Sequence, residues 1–207
     1  MLSFMIFTFD LYGTLVDWNS SIGNFLDLIG KDLREDFFKE EFKIVKNIKN
    51  FIPYSSILKE ALKNVLKRRS IEYRDVYGDS LVLAFAKSTF FPDSLLGLNI
   101  LKNKYKIGII SNTERSLVNI TMCGLQYLFD FVITAEDTGF YKPNEMAFIK
   151  AWEIMKIEKN EIVHVSAYPE YDLNTSDKLG VRTILIDRYG YDWKEKVKNI
   201  VDLVQMF

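Results

Sequence analysis

Near its start the chain runs Phe4-Met5-Ile6-Phe7-Thr8-Phe9 into Asp10-Leu11-Tyr12-Gly13-Thr14-Leu15. A run this short and apolar on both faces suits a strand buried in a parallel sheet with helices on either side. Sheets of that kind bind ligands beyond the C-terminal ends of their strands. Asp10 falls at such an end. Gly13 permits a tight turn, and Thr14 adds a hydroxyl beside backbone N–H groups suited to an anionic substrate. Asp10 therefore reads as a nucleophilic carboxylate, although an aspartate and a glycine after a strand equally serve to make a turn.

The rest of the chain supports a layered fold. From Val16 to about Phe91 the apolar residues follow helical spacing, with Phe25, Leu26, Leu28 and Ile29, then Phe37, Phe38, Phe42, Val45 and Ile48. Pairs at Ile57/Leu58, Ala61/Leu62 and Val65/Leu66 recur every four residues. Strand and helix signals then alternate: a helix from about Pro92, strands at Lys106–Ser111, Phe131–Thr134, Ile162–Val165 and Val181–Ile186, and helices after Thr113, from Asn144, near Asp172–Leu179 and at the C-terminus. Alternation of this kind predicts an α/β doubly wound parallel sheet. The expected division is an α/β core of residues 1–16 and 92–207, with residues 17–91 inserted as an all-α cap over the sheet's C-terminal edge.

Composition narrows the function. With 207 residues, 48% of them hydrophobic, the chain can bury a sizeable core. Its net charge of −1, from 27 basic and 28 acidic residues, offers no field for nucleic acid or an anionic membrane. The short basic runs, such as Lys67-Arg68-Arg69, read as solvated surface. Cys123 is the only cysteine, which excludes an internal disulfide and favours a reducing, cytoplasmic setting. The apolar start, Met1 to Phe9, lacks the positive flank and cleavage site of a secretion signal, so it is expected to be the first strand. No stretch is long and apolar enough to cross a bilayer. The expected partner is a small anionic substrate, and the expected assembly is a monomer or homodimer.

Three further segments accompany Asp10 in order: Ile107-Gly108-Ile109-Ile110-Ser111-Asn112-Thr113, Tyr141-Lys142-Pro143, and Ile162-Val163-His164-Val165-Ser166 leading to Asp172. Together they resemble the four motifs of the haloacid dehalogenase (HAD) superfamily, over nearly the whole chain. The resemblance implies a Rossmann-like core with a cap, and hydrolysis through an aspartyl nucleophile. It makes Asp10, Lys142 and Asp172 catalytic, and Tyr12, Thr14, Ser111 and Asn112 substrate-binding. An ammonium at Lys142 would keep Asp10 anionic. Magnesium phosphatases of the superfamily carry Asp-x-Asp, whose second aspartate works as acid and base. Tyr12 stands in that place here. Asp-x-Tyr-Gly-Thr, followed by Val16-Asp17-Trp18, resembles the 2-haloacid dehalogenase branch, in which a halide leaves without a proton.

By that resemblance Asp10 attacks the α-carbon of a 2-haloacid with inversion, and water then hydrolyses the resulting ester. No cofactor or metal is expected; a magnesium phosphatase acting on a small metabolite is the alternative, with Mg held by Asp10 and Asp172. A third reading is a non-catalytic protein that binds a small anion or a protein partner. The chain departs from the branch at Ala167 and Pro169, where serine and asparagine usually precede the fourth-motif aspartate, and at Phe148, where a tyrosine usually stands. The branch's cap arginine has only Lys39 and Lys43 as candidate counterparts. His164, inside an apolar strand, reads as a packed core residue, and Cys123 has no partner that would activate it. Trp18 lies close enough to the first motif to line the cleft.

Overall fold

The structure is a computed structural model and describes residues 5–207. Six parallel strands form one sheet: β1 (Ile6–Phe9), β2 (Lys106–Ser111), β3 (Phe131–Thr134), β4 (Ile162–Ser166), β5 (Arg182–Ile186) and β6 (Lys196–Val197), in the order β3-β2-β1-β4-β5-β6. This is the expected doubly wound α/β architecture. The expected first strand also included Met1 to Phe4, which lie outside the described residues. The two-residue β6, joined to β5 through Leu185 and Ile186, is an addition to the sequence reading.

β1 is central. Phe7 pairs with Ile107 on one side and Val163 on the other, so neither edge of β1 meets solvent. Residues of the sheet alternate between two cores, as the pleat requires. Phe7 and Phe9, with Ile107, Ile109, Val163 and Val165, join the larger cluster. Ile110, Ile133 and Ile162 pack on the opposite face against Phe148, Ala151 and Trp152. Burial of each large apolar side chain contributes roughly 1.5–3 kcal/mol, which makes these two layers the main source of stability.

Four helices follow β1: α1 (Trp18–Ile29), α2 (Arg34–Asn47), α3 (Tyr54–Arg68) and α4 (Asp75–Ala86). Their buried faces carry Ile22 and Leu26, Phe37 and Val45, Ile57 to Leu66, and Leu81 and Phe85, matching the four-residue spacing of the sequence. The segment leaves and rejoins the sheet side by side, because Asp17 N–H donates to Thr89 O at 2.8 Å and Phe91 N–H donates to Leu15 O at 2.9 Å. Six more helices complete the layers: α5 (Pro92–Lys102), α6 (Arg115–Met122), α7 (Ala135–Thr138), α8 (Glu145–Met155), α9 (Asn174–Lys178) and α10 (Ile200–Gln205). The helix expected near Asp172–Leu179 begins later than predicted. A wide helical turn over Pro169–Leu173 comes first, started by a proline that cannot donate to a regular ladder. No helix among the described residues is long and apolar enough to cross a membrane.

Candidate active site

The C-terminal ends of β1, β2 and β4 bring the motif residues together. Asp10 N–H donates to Val165 O at 3.0 Å, which carries the sheet ladder one residue past β1 and fixes where the carboxylate emerges. Gly13 adopts φ +90°, and a Cβ there would lie 2.2 Å from the Tyr168 hydroxyl, so the turn requires glycine twice over. Thr14 Oγ1 donates to Asp10 Oδ2 at 2.7 Å and accepts the Ala167 N–H at 2.9 Å. That corrects the expected substrate contact: Thr14 is fully buried and holds Asp10 in place.

Lys142 is 1% exposed, and its Nζ donates to Asp10 Oδ1 at 2.8 Å, Asp172 Oδ1 at 2.7 Å and Ile110 O at 2.8 Å. An ammonium has three protons, and all three are committed. Asn112 clasps the lysine's backbone, donating from Nδ2 to Lys142 O at 2.8 Å and accepting Lys142 N–H at 2.7 Å. The carboxamide expected to bind substrate therefore positions Lys142, although Asn112 still borders the cavity.

Burial raises the Asp10 pKa and nearby Asp172 adds to this, against the pull of Lys142 and Thr14. Burial acts on Asp172 as well, but there Lys142 and His164 prevail and hold the carboxyl below its usual range. Lys142 is raised: burial opposes its charge, and the two carboxylates more than compensate. The result is a buried cation bridging two acids, a geometry that keeps each member charged only while the others remain.

His164 lies in the core, as expected, yet it belongs to this network. An ionised Asp172 can only accept, so His164 Nε2 donates to Asp172 Oδ1 at 2.9 Å, while Nδ1 lies 2.9 Å from Thr8 Oγ1. Phe148 packs edge-on against His164, with ring centroids 5.4 Å apart, and does not border the cavity. Cys123 is exposed at the end of α6, away from these groups.

Above Asp10 lies a cavity of about 30 Å³. Its floor is Asp10, Ser111, Asn112, Lys142 and Asp172, and its roof includes Trp18, Glu41 and Tyr54 from the helical segment. Ser111 Oγ and Asp172 Oδ2 are buried without hydrogen-bond partners, which leaves both for a ligand or water. Tyr12 borders the cavity with its ring only. Thr121 has one hydroxyl proton and donates it to Ala86 O at 2.8 Å, so Tyr12 OH donates to Thr121 Oγ1 at 2.6 Å. Its ring stacks on Phe85 at 4.0 Å. Tyr12 is thus a wall, and its hydroxyl is unavailable to substrate. Trp18 lines the cleft as expected, donating from Nε1 to Tyr168 OH at 3.1 Å.

Glu41 was absent from the sequence reading. It is 2% exposed, accepts from Tyr54 OH at 2.9 Å and Tyr171 OH at 2.6 Å, and is pushed up to about 7 by burial, which outweighs the two tyrosine bonds. Its signal was position: Glu41 lies four residues from both Phe37 and Val45 and so shares the buried face of α2. The proposed counterparts of the cap arginine do not reach the inner cavity. Lys39 pairs with Glu35 at the surface, and Lys43 is exposed.

A carboxyl raised on folding lowers stability as pH climbs from its unfolded value through its folded one, because the native state then binds more protons. Below about pH 4.5 Glu41 is protonated in both states and costs nothing. Glu41→Gln is therefore expected to raise the melting temperature at pH 8 and to change it little at pH 4. The gain at pH 8 should be on the order of 3 kcal/mol. Thermal scans at the two pH values check this.

The donor set does not suit a magnesium ion. Asp10 and Asp172 share one ammonium, Asp10 Oδ2 is taken by Thr14, and Ala167 supplies a methyl on the adjoining turn. Among the described residues no three His, Cys, Asp or Glu side chains converge as a metal site. Asp10 and Asp172 alone would leave most of an octahedral oxygen set to water.

A wound parallel sheet carrying an acid–lysine–acid bridge at its C-terminal edge defines a hydrolase of the HAD type. Residues 4–167 match the family described as haloacid dehalogenase-like hydrolase, and the chain belongs to it. It is 26% identical over 191 residues to (S)-2-haloacid dehalogenase 4A of Burkholderia cepacia, covering 88% of this chain and 82% of that protein. It is also 27% identical over 146 residues to the glyceraldehyde 3-phosphate phosphatase of Methanothermobacter thermautotrophicus, covering 63% and 65%. Its fold matches a crystal structure of a dehalogenase with an intermediate complex at a TM-score of 0.89, with 24% identity over 99% of this chain and 97% of that one.

Proposed function

We propose that this hydrolase cleaves the carbon–halogen bond of a small 2-halogenated substrate, with 2-haloacids as the reference class and Asp10 as the nucleophile. One observation carries the reading: Asp10 is charge-paired to Lys142 at 2.8 Å on the floor of a cavity whose neighbouring Tyr12 has its hydroxyl tied to Thr121. A site without an acid at position 12 suits a leaving group that departs as an anion without a proton. Asp10 attacks the α-carbon, the carbon–halogen bond breaks, and the halide leaves with the electron pair. Water then adds to the Asp10 carboxyl carbon. Asp172 Oδ2 is the unpartnered acceptor available to the water's proton, and collapse releases the 2-hydroxy product and restores the carboxylate.

The helical residues 17–91 act as the cap in this reading, since Trp18, Glu41 and Tyr54 close the cavity from above. Parting of these residues admits substrate, and their closure over it excludes bulk water. Incubation with 2-chloropropionate is expected to release chloride at a rate unchanged by EDTA. Phosphate release from a panel of esters, dependent on magnesium and without any halide release, would replace this reading with a phosphatase.

A further inference from the structure

The charges around the cavity do not favour an anion. Its floor and roof hold three carboxyl groups, Asp10, Asp172 and Glu41, against one cation. That cation, Lys142, has no proton left to offer. The outer approach carries the same bias. A second cavity of about 350 Å³ adjoins the first through Trp18, Glu41, Tyr168 and Tyr171. Its charged residues are Glu35, Glu41, Glu170 and Lys39, and Lys39 is already paired with Glu35. Aromatic side chains, including Phe38, Phe42 and Tyr189, make up much of the remaining wall.

Glu41 is the hinge of the matter because it lines both cavities. Tyr54 from α3 and Tyr171 from the turn after β4 each donate to one of its oxygens, so each carboxyl oxygen keeps a lone pair for another donor. Facing it across the inner cavity are Asp10, Lys142 and Asp172; in the outer cavity the charged groups are Glu35, Lys39 and Glu170. A substrate carboxylate placed here would meet like charge without a counter-ion, whereas an N–H group would meet an acceptor.

We propose that Glu41 is a specificity-determining residue that selects a neutral, N–H-bearing 2-halo compound, a 2-haloamide, over the corresponding 2-haloacid anion. This rests on the displacement reading above and names the substrate class of the same site. An amide nitrogen donates to the Glu41 carboxylate, and the rest of the molecule reaches Asp10 within the cavity that both residues line. Protonation of Glu41 removes the repulsion of a carboxylate, so the preference depends on pH.

The matched pair 2-chloropropionamide and 2-chloropropionate tests it, since the acid remains ionised from pH 5.5 to 8.5. At pH 8.5 the native enzyme is expected to turn over the amide with a kcat/KM about tenfold or more above that of the acid, the difference lying in KM. The ratio should shrink toward pH 5.5, and in Glu41→Gln it should be flat across the range. A preference for the acid at pH 8.5, an unchanged ratio in the variant, or a pH effect confined to kcat overturns the proposal while chloride release keeps the displacement reading intact. Binding supplies an arm independent of chemistry: isobutyramide, but not isobutyrate, should raise the melting temperature at pH 8.5. Should neither substrate release chloride, the displacement reading fails, and this protection alone decides the selectivity, with equal or reversed protection overturning it.

Discussion

Asp10→Asn is expected to reduce chloride release by at least roughly 10⁴-fold while leaving the fold intact. The exchange is isosteric. The new carboxamide's oxygen can accept from Lys142 where Asp10 Oδ1 now does at 2.8 Å, and its NH₂ group can turn toward Thr14 Oγ1, which lies 2.7 Å from Oδ2. Lys142 retains its bonds to Asp172 and Ile110 O, so the buried cation is not left alone. What disappears is the anionic oxygen that displaces the halide. Oxygen labelling separates this from a merely positional role. Because water attacks the Asp10 carboxyl carbon, a single turnover of native enzyme in H₂¹⁸O should place the label in Asp10 and leave the first product unlabelled. Label found directly in the product would mean that water attacks the substrate itself, and Asp10 would lose the part assigned to it.

The fold was largely legible because the sheet is buried on both faces, so its strands stand out as short apolar runs between helical stretches. β6 was missed for the converse reason: Lys196 and Val197 are too few for a periodic signal, and Lys196 is exposed. Motif positions located Asp10, Lys142 and Asp172 but did not give the direction of each side chain. Thr14, Tyr12 and Asn112 were expected to touch substrate, and the hydroxyls and amide that suggested so are engaged by Asp10, Thr121 and the Lys142 backbone. Ser111 alone of the four predicted binders presents an unpartnered polar atom at the cavity. Glu41 was hidden by its neighbours. In Phe38-Lys39-Glu40-Glu41-Phe42 one glutamate faces Arg68 near the surface and the next turns inward to two tyrosines, a distinction that helical phase permits and composition conceals.

Lys142→Met carries the second large expectation, loss of turnover together with a stability deficit that depends on pH. Methionine nearly fills the volume of the lysine stem, so packing changes little while the ammonium that bridges Asp10 and Asp172 is removed. Deleting one partner of a buried ionic cluster costs about 3–5 kcal/mol, because the remaining charges stay buried without compensation. In the native protein Lys142 is raised by its two acids, so its contribution is complete below its ordinary pKa and declines only as pH rises through the raised value. Asp172, held low despite burial, adds stability that persists above the usual carboxylate range and is lost on acidification. Without the ammonium burial pushes Asp10, already raised, up further, and lifts Asp172 against the remaining bond from His164, so that the sign of the Asp172 contribution reverses. The variant's native state then binds more protons than its unfolded chain above the ordinary carboxylate pKa, so its stability falls as pH rises and recovers as pH drops toward 4. Urea denaturation at pH 8 and pH 4.5 should therefore show a deficit near the full magnitude at the higher pH and a much smaller one at the lower. Adding Asp172→Asn should restore part of the stability at pH 8 without restoring chloride release, because one uncompensated charge is removed and the nucleophile still lacks its counter-ion. Equal deficits at both pH values would assign the loss to packing and remove the electrostatic account of how Asp10 is kept ionised.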